Sequence, residues 1–100
     1  MIVSVLYPSH EGARFDAAYY RDTHAPLAQD IWNPDRIDLI EATPAPDGSA
    51  PAFALIAHFH FASPEAFGTA MGNPRIGELQ ADVANFTDIT PTVVMGKALA

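Results

Sequence analysis

The stretch Phe15–Leu27, FDAAYYRDTHAPL, decides how the rest of the chain folds. Asp16 is typical of a helix N-cap, because its side chain can accept a hydrogen bond from a free amide in the first turn. Phe15 and Tyr20 lie at the two positions of a hydrophobic staple. Spacings of four, three and four residues place a further set on one helix face: Tyr20, His24, Leu27 and Ile31. The stretch therefore predicts an amphipathic helix that directs a phenol and an imidazole at the core.

Pro26 modifies this helix. It has no amide to donate to the carbonyl of Asp22, so we expect the helix to kink or break just after His24. The carbonyl of Asp22 then needs another hydrogen-bond partner. A titratable imidazole beside a proline break is the chemically unusual feature of this sequence.

The composition describes a small acidic protein. Its 100 residues predict a single domain over residues 1–100, and a hydrophobic fraction of 49% is enough for one core. The formal net charge is −7, with five scattered basic residues, which argues against nucleic acid or an anionic membrane surface as a partner. The absence of cysteine excludes disulfides, thiolate nucleophiles and iron–sulfur clusters.

The N-terminal residues do not have the pattern of an export signal. MIVSVLYPSH has no basic segment ahead of its short apolar run. No apolar stretch approaches the roughly 18 residues of a membrane span. We therefore expect a soluble, cytoplasmic protein.

Local patterns predict four strands and two helical segments. The strands are expected at residues 2–8, 36–43, 53–61 and 92–98, and the first helix at residues 16–31. Ser63 and Pro64 begin the second helical segment, as N-cap and first helical residue, and Gly72 divides it in two. The order β-α-β-β-α-β predicts an α+β, ferredoxin-like fold: a four-stranded antiparallel sheet with helices on one face.

The predicted strands are apolar on both faces. In the first strand Val3 and Val5 lie on one face, and Ile2 and Leu6 lie on the other. Helices can cover only one face of the sheet, and the other would be a larger apolar patch than a monomer usually exposes. We therefore expect a homodimer packed sheet against sheet.

His24 is the first candidate for chemistry. A neutral imidazole on a buried face can act as a general acid or base near neutral pH, and Tyr19 or Tyr20 can assist it. The alternative is a core histidine satisfied by a nearby carbonyl, such as one released by Pro26. Asp82 can orient a histidine from the last helix, or it can be an ordinary polar residue at a helix end.

His58 and His60 are the second candidate. Strand alternation places both on one face, two residues apart, as a metal-binding pair requires. The spacing names no third ligand, since Glu41 and Asp82 reach the pair only if the fold brings them there. We favour the alternative, a histidine pair at a dimer seam or a solvated edge, and expect no metal site.

Aromatic residues can line a pocket between the helices and the sheet, or they can simply fill the core. The candidates are Tyr7, Phe15, Tyr19, Tyr20, Trp32, Phe59, Phe61 and Phe67. The sequence has no P-loop, no Rossmann glycine run and no GxSxG motif. Nothing in it indicates a cofactor or a serine hydrolase.

Five motifs in order make the chain resemble the EthD family. They are LYP at 6–8, GARFDAAYY at 12–20, HAPL at 24–27, HFHFASPEAF at 58–67, and the set Asp82, Asn85, Phe86, Thr87 and Pro91. The third is similar to the family's H-x-P-L, and the last to its D-x-x-N-F/Y-T…P. Two regions depart from the resemblance. Residues 32–47 carry little of the family's glycine-rich pattern, and the last strand has Val94, Gly96 and Lys97 where the family has Gln, Ser and Glu.

The resemblance implies a dimeric α/β barrel built from ferredoxin-like subunits. Relatives of that barrel include cofactor-free quinone-forming monooxygenases, muconolactone-type isomerases, polyketide cyclases, decarboxylases and haem enzymes. By resemblance, His24 is the polar centre of the pocket, with Tyr7, Tyr20 and Asp82 beside it.

Three functions remain open on the sequence alone. The first is a cofactor-independent enzyme acting on a small aromatic or polyketide-like molecule, with His24 as acid or base and Tyr20 or Tyr7 as hydrogen-bond donor. The second is a non-catalytic, small-molecule-binding accessory protein of a degradation pathway. The third is a haem protein with His24 as the axial ligand.

Overall fold

The computed structural model describes residues 1–100 as a four-stranded antiparallel sheet with helices on one face. The strands are β1 (Ile2–Pro8), β2 (Arg36–Glu41), β3 (Phe53–His60) and β4 (Thr92–Gly96). The helical elements are α1 (Ala17–Tyr19), a π-helical turn (Tyr20–His24), α2 (Ala25–Trp32), α3 (Pro64–Met71), α4 (Ile76–Asp82) and a 3₁₀ turn (Val83–Asn85). This is the ferredoxin-like βαββαβ arrangement that the sequence predicts. None of these helices is long and apolar enough to cross a membrane.

The sheet has the strand order β2-β3-β1-β4, with every pair antiparallel. In the register, Val3 lies between Phe59 and Met95, and Tyr7 pairs with Leu55. Side chains alternate between the two faces, so these residues all lie on the inner face, which the helices cover. Of these inner-face residues, all but Met95 at the β4 edge are buried, and the core lies between this face and the helices.

The start of the first helical segment is as predicted. The side chain of Asp16 accepts a hydrogen bond from the Tyr19 amide at 3.0 Å, which caps the helix. The rings of Phe15 and Tyr20 stack with their centroids 6.0 Å apart, as a hydrophobic staple requires.

Pro26 changes the type of helix without breaking the chain's helical path. In the π-helical turn the Ala25 amide donates to the Tyr20 carbonyl, five residues back, and α2 follows directly after His24. Pro26 lies just after the π-helical turn, so its missing N–H falls where the hydrogen-bond pattern changes from i→i−5 to i→i−4. Directly after His24, where the sequence predicts a kink or a break, the helix instead changes from π-helix to α-helix.

The π-helical turn also changes which residues of α2 reach the core. A π turn holds one residue more than an α turn, so the helix that follows is rotated about its axis. Tyr20, His24 and Ile31 are buried as expected, whereas Leu27 is only half-buried and Ala28 is buried in its place.

The second helical segment follows its sequence signals. The Ser63 hydroxyl oxygen accepts a hydrogen bond from the Ala66 amide at 3.1 Å, and Pro64 is the first residue of α3. Gly72 is the C-cap, and the chain resumes as α4 and the 3₁₀ turn. The division brings the end of α4 over the inner face of the sheet, close to the first helical segment.

Three strands are shorter than the sequence predicts. β2 ends at residue 41 instead of 43, β3 at 60 instead of 61, and β4 at 96 instead of 98. For β4 the reason is pairing, because its last residue, Gly96, lies opposite Ile2, the first residue of β1. Residues past that point have no strand residue to pair with.

The outer face of the sheet has no helix on it and is less uniformly apolar than predicted. Ser4 Oγ lies 2.7 Å from His58 Nδ1, and His60 Nε2 lies 2.8 Å from Asp38 Oδ2. Apolar side chains surround these pairs: Ile2, Leu6, Ile40, Ile56 and Val94. The polar groups of this face are thus largely satisfied within it.

Candidate functional site

A cavity of about 240 Å³ lies between the inner face of the sheet and the helices. Most of its walls are apolar side chains from β1, β3, α3 and α4. The polar side chains at its closed end are Tyr7, Tyr20 and His24, which are 2%, 1% and 5% exposed. Its mouth is lined by side chains that reach solvent: Met71, Gln80 and Val93.

His24 and Asp82 form the central pair of the site. His24 is the last residue of the π-helical turn and Asp82 the last of α4, and the two side chains are 6% and 11% exposed. His24 Nδ1 lies 2.9 Å from Asp82 Oδ2. A carboxylate can only accept, so Nδ1 carries the proton and the lone pair of the neutral ring lies on Nε2. Nε2 has no hydrogen-bond partner in the protein and is available to the cavity.

The surroundings fix the charges of this pair. Burial lowers the pKa of His24, because the imidazolium is poorly solvated there, and Asp82 only partly opposes this effect. Burial alone would raise the pKa of Asp82, but hydrogen bonds from Tyr19, Asn85 and His24 outweigh burial and lower it. Near neutral pH the site therefore holds a neutral imidazole and an ionised carboxylate, which is the arrangement of a general base with its orienting group.

Tyr7 and Tyr20 place two phenols beside the imidazole. The ring centroids of Tyr7 and Tyr20 are 5.8 Å apart, and those of Tyr20 and His24 are 4.9 Å apart. Burial raises the pKa of Tyr7 to about 12, against a smaller opposing effect of Tyr20. Burial and the neighbouring Tyr7 raise the pKa of Tyr20 further. Both phenols stay protonated and can donate hydrogen bonds to an oxygen of a bound molecule.

Trp32 and Phe59 form an aromatic wall of the cavity. Their ring centroids are 5.0 Å apart with an edge-to-face geometry, and Phe67 packs against the same indole at 6.2 Å. Trp32 Nε1 is buried and makes no hydrogen bond. Aromatic side chains in this geometry supply a rigid apolar surface for a flat ligand.

Three of the predicted lining residues lie outside the cavity. Phe15 packs edge-on against Tyr7 at 5.1 Å on the core side, and Phe61 packs against Phe67 at 5.3 Å. Tyr19 does not line the cavity, and its hydroxyl donates a hydrogen bond to the carboxylate of the central pair. Sequence pattern places an aromatic residue on a face, but it does not give the depth that separates a cavity wall from filled core.

The roof and mouth of the cavity were not identified from the sequence. They are formed by Ala28, Met71, Ile76, Leu79, Gln80, Val83, Pro91 and Val93. The available signal was the apolar stripe of α4, with Ile76, Leu79 and Val83 at helical spacing, which indicates a buried face and not a ligand wall. Phe86, whose ring centroid lies 4.6 Å from that of His24, was likewise not predicted to contact the imidazole.

His58 and His60 lie far from the cavity, on the outer face of the sheet. Each forms its own pair, with Ser4 and with Asp38. Neither Glu41 nor Asp82 joins them, and no three His, Cys, Asp or Glu side chains come together anywhere in the chain as metal ligands would.

Protein stability should depend on pH through His24. Its pKa is lowered in the folded protein, so the unfolded chain binds the extra proton first as the pH falls below the ordinary value of 6.5. We expect the free energy of unfolding from urea denaturation to be level above about pH 7 and to fall as the pH drops below about 6.5. The slope for this one proton is at most about 1.4 kcal/mol per pH unit.

His24→Gln should remove this pH dependence, because the amide does not titrate and can still donate to Asp82. His10→Gln is the matched control, since His10 is an exposed histidine remote from the cavity, and it should keep the wild-type slope. Equal slopes in His24→Gln and the wild type would contradict the buried neutral imidazole.

The chain is similar in sequence and structure to known proteins of one family. The EthD domain model matches residues 10–90. An EthD-like protein from Ralstonia eutropha is 33% identical, over 99% of this chain and 91% of that one, with a TM-score of 0.90. No curated protein matches the chain.

Two more distant structures share the fold. An EthD family protein from Bacillus halodurans is 20% identical over 96% of this chain and 97% of that one, with a TM-score of 0.70. A protein from Deinococcus radiodurans, named for antibiotic-biosynthesis monooxygenases, is 20% identical over 100% of this chain and 97% of that one, with a TM-score of 0.51. Since the family model matches most of the chain and a 33% identical relative covers nearly all of it, this chain belongs to the EthD domain family.

Proposed function

We propose that the protein is a cofactor-independent enzyme that moves a proton on a small aromatic or polyketide-like molecule, with His24 as the acid or base. One observation carries the proposal: His24 Nδ1 is held by Asp82, and Nε2 is left without a partner at the closed end of an apolar cavity. A core histidine with only a structural role would be expected to have both nitrogens satisfied.

The residues at the closed end have complementary roles in such a reaction. His24 Nε2 takes a proton from the carbon next to a carbonyl, and the electron pair of that C–H bond moves to form an enolate. Tyr7 and Tyr20 donate hydrogen bonds to the enolate oxygen, where negative charge develops. Asp82 stabilises the imidazolium that forms, in the way an orienting carboxylate does in hydrolase triads.

The fate of the enolate decides the outcome of the reaction. Return of the proton to a different carbon gives an isomerase, and loss of a β-hydroxyl group from the enolate as water gives a dehydratase. Attack of the enolate carbon on a second carbonyl of the same molecule gives a cyclase, with the proton returned to the new alkoxide. In a decarboxylase the C–C bond to a carboxylate breaks in place of the C–H bond, CO₂ leaves, and protonated His24 supplies the proton to the enolate. Attack of the carbanion on molecular oxygen, followed by protonation, gives a hydroperoxide, which loses water to leave a new C=O group; this is a monooxygenase type of reaction. The Deinococcus protein of the same fold is named as an antibiotic-biosynthesis monooxygenase. All of these pass through the same enolate, and all but the decarboxylation begin with the same proton abstraction.

The size and lining of the cavity favour a compact, flat ligand. At about 240 Å³ it is smaller than the roughly 300–1,000 Å³ typical of drug-sized ligand sites. This volume favours a one- or two-ring molecule over a macrocycle such as haem. The wall formed by Trp32 and Phe59 suits an aromatic ring.

The second candidate function is a binding protein that sequesters such a molecule in an accessory role in its degradation. The apolar character of the cavity favours it, since 13 of 16 lining residues are hydrophobic and tight binding of an apolar molecule needs no acid or base. The two candidates differ in whether the bound molecule exchanges a proton.

We also propose that two copies pack through the outer faces of their sheets. This face has no covering helix, Val94 is 51% exposed and Ile40 is 46% exposed on it. Its polar groups are paired with one another, as Ser4 with His58, so burial of the face would strand few of them.

Proton exchange tests the enzyme proposal before the natural substrate is known. In deuterium oxide, the wild type should accelerate exchange of the protons next to the carbonyl of 2-tetralone and of similar small ketones that contain an aromatic ring. The exchange is monitored by proton NMR. General-base catalysis by one group is worth about 10²–10⁴-fold. His24→Gln should lose that acceleration, whereas His10→Gln, the exposed control, should keep it.

Fluorescence of the single tryptophan separates the two candidate functions. Because Trp32 lines the cavity, a bound ketone should change its emission, and the titration gives the dissociation constant. If the ketones bind and none of them exchanges faster than without protein, the binding-protein function would be favoured over the enzyme. Equal exchange by the wild type and His24→Gln would reject His24 as the base.

Light scattering with size-exclusion chromatography tests the proposed dimer. Val94→Lys places a charge on the outer face and should give a monomer. Met95→Lys is the matched control: it is the next residue on β4, similarly exposed, but on the inner side of the sheet, and it should leave the dimer intact. A monomeric wild type, or equal loss from both variants, would contradict packing through the outer face.

A further inference from the structure

Tyr19 contacts the central pair of the site from outside the cavity. Its hydroxyl donates to Asp82 Oδ1 at 2.6 Å, and Asn85 Nδ2 donates to the same oxygen at 2.9 Å. The other carboxylate oxygen, Oδ2, lies 2.9 Å from His24 Nδ1. The carboxylate therefore has two donors on one oxygen and the imidazole on the other.

We infer that Tyr19 is a positioning residue that sets the basicity of His24 through Asp82. The inference deepens the proposed function and rests on it for its catalytic consequence, but the coupling itself is a property of the free protein. Tyr19 does not line the cavity, so it acts on a bound molecule only through its neighbours.

The physical reason lies in how the carboxylate's negative charge is shared. Hydrogen bonds from Tyr19 and Asn85 draw that charge toward Oδ1 and lower the pKa of Asp82 against the effect of burial. A carboxylate with more donors is a weaker acceptor for the imidazole, so it stabilises the imidazolium less. The hydrogen bond to Asp82 correspondingly raises the pKa of Tyr19, whose proton is held between the two oxygens.

Few other groups can set the charge of His24. Tyr20, from the same helical segment, packs on its ring, and Tyr7, from β1, packs on Tyr20; both are neutral phenols. Phe86 packs on the ring at 4.6 Å and carries no charge. No Asp, Glu, Lys or Arg side chain lines the cavity. Asp82 is thus the one charged partner of His24, and a change at Asp82 should be transmitted to it.

Tyr19→Phe isolates the hydroxyl, because the ring remains and can keep its stacking on Phe86 at 6.3 Å. With one donor fewer, Asp82 should stabilise the imidazolium more strongly. In an NMR titration of the ligand-free protein we expect the pKa of His24 to rise by about half a unit or more. The other histidines, His10, His58 and His60, are internal controls in the same spectra, since none of them contacts the pair.

Two further variants test whether the effect passes through the carboxylate. Asn85→Ala removes the other donor to Oδ1 and should shift the pKa of His24 in the same direction. In an Asp82→Asn background, Tyr19→Phe should leave the pKa of His24 unchanged, because the carboxylate that links the two side chains is then absent. An unchanged pKa of His24 in Tyr19→Phe, or the same rise of that pKa in the Asp82→Asn background, would overturn the inference.

The catalytic consequence can be separated from the coupling. If His24 is the base, the acid limb of the pH profile for ketone exchange should shift to higher pH in Tyr19→Phe, by the same amount as the pKa measured by NMR. If the wild type catalyses no ketone exchange, the proposed enzyme activity is rejected, and the coupling measured by NMR is unaffected by that result. An active wild type whose Tyr19→Phe variant shows no pKa change rejects the role of Tyr19 and leaves the enzyme standing.

Discussion

The hydrogen bond between His24 Nδ1 and Asp82 Oδ2 is the interaction on which the site depends. It joins the first helical segment to the end of α4 over residues 58 apart in sequence, with both side chains almost fully buried. Neither group is tolerable alone at such a place, since an unpaired buried carboxylate or imidazole loses its hydration without compensation. The pair therefore fixes both the protonation state of the imidazole and the relative position of the two helical segments above the sheet.

The backbone between residues 20 and 25 is arranged around that bond. An uninterrupted α-helix would bury Leu27 on the same face as His24, whereas the π-helical turn rotates α2 so that the small Ala28 faces inward. A small residue there, where Leu27 would otherwise project, leaves room for the cavity. π-Helical turns are rare and occur frequently at functional sites, because they redirect side chains without ending the helix.

Much of the fold could be predicted from local signals, because those signals act over a few residues. The N-caps at Asp16 and Ser63 and the alternation in β1 and β3 each depend only on near neighbours in sequence. The site was predictable in part for the same reason: His24 is unusual on an apolar helix face, whatever surrounds it. For its partner the sequence left two alternatives open, because Asp82 lies on a different element, and a polar residue at a helix end has the same local pattern whether or not it holds a histidine. The separation of Phe59, on the cavity wall, from Phe61, which packs against Phe67 outside this cavity, depends on packing depth, which alternation does not encode.

The central claim is that His24 presents an unprotonated Nε2 to the cavity while Nδ1–H is held by Asp82. The ¹⁵N chemical shifts of the His24 ring, recorded on the labelled protein near neutral pH, report which nitrogen carries the proton. We predict the neutral tautomer with the proton on Nδ1 and a bare Nε2, and in Asp82→Asn a loss of that preference. A proton on Nε2, or a doubly protonated ring at neutral pH, would contradict the general-base arrangement and leave His24 as a structural residue.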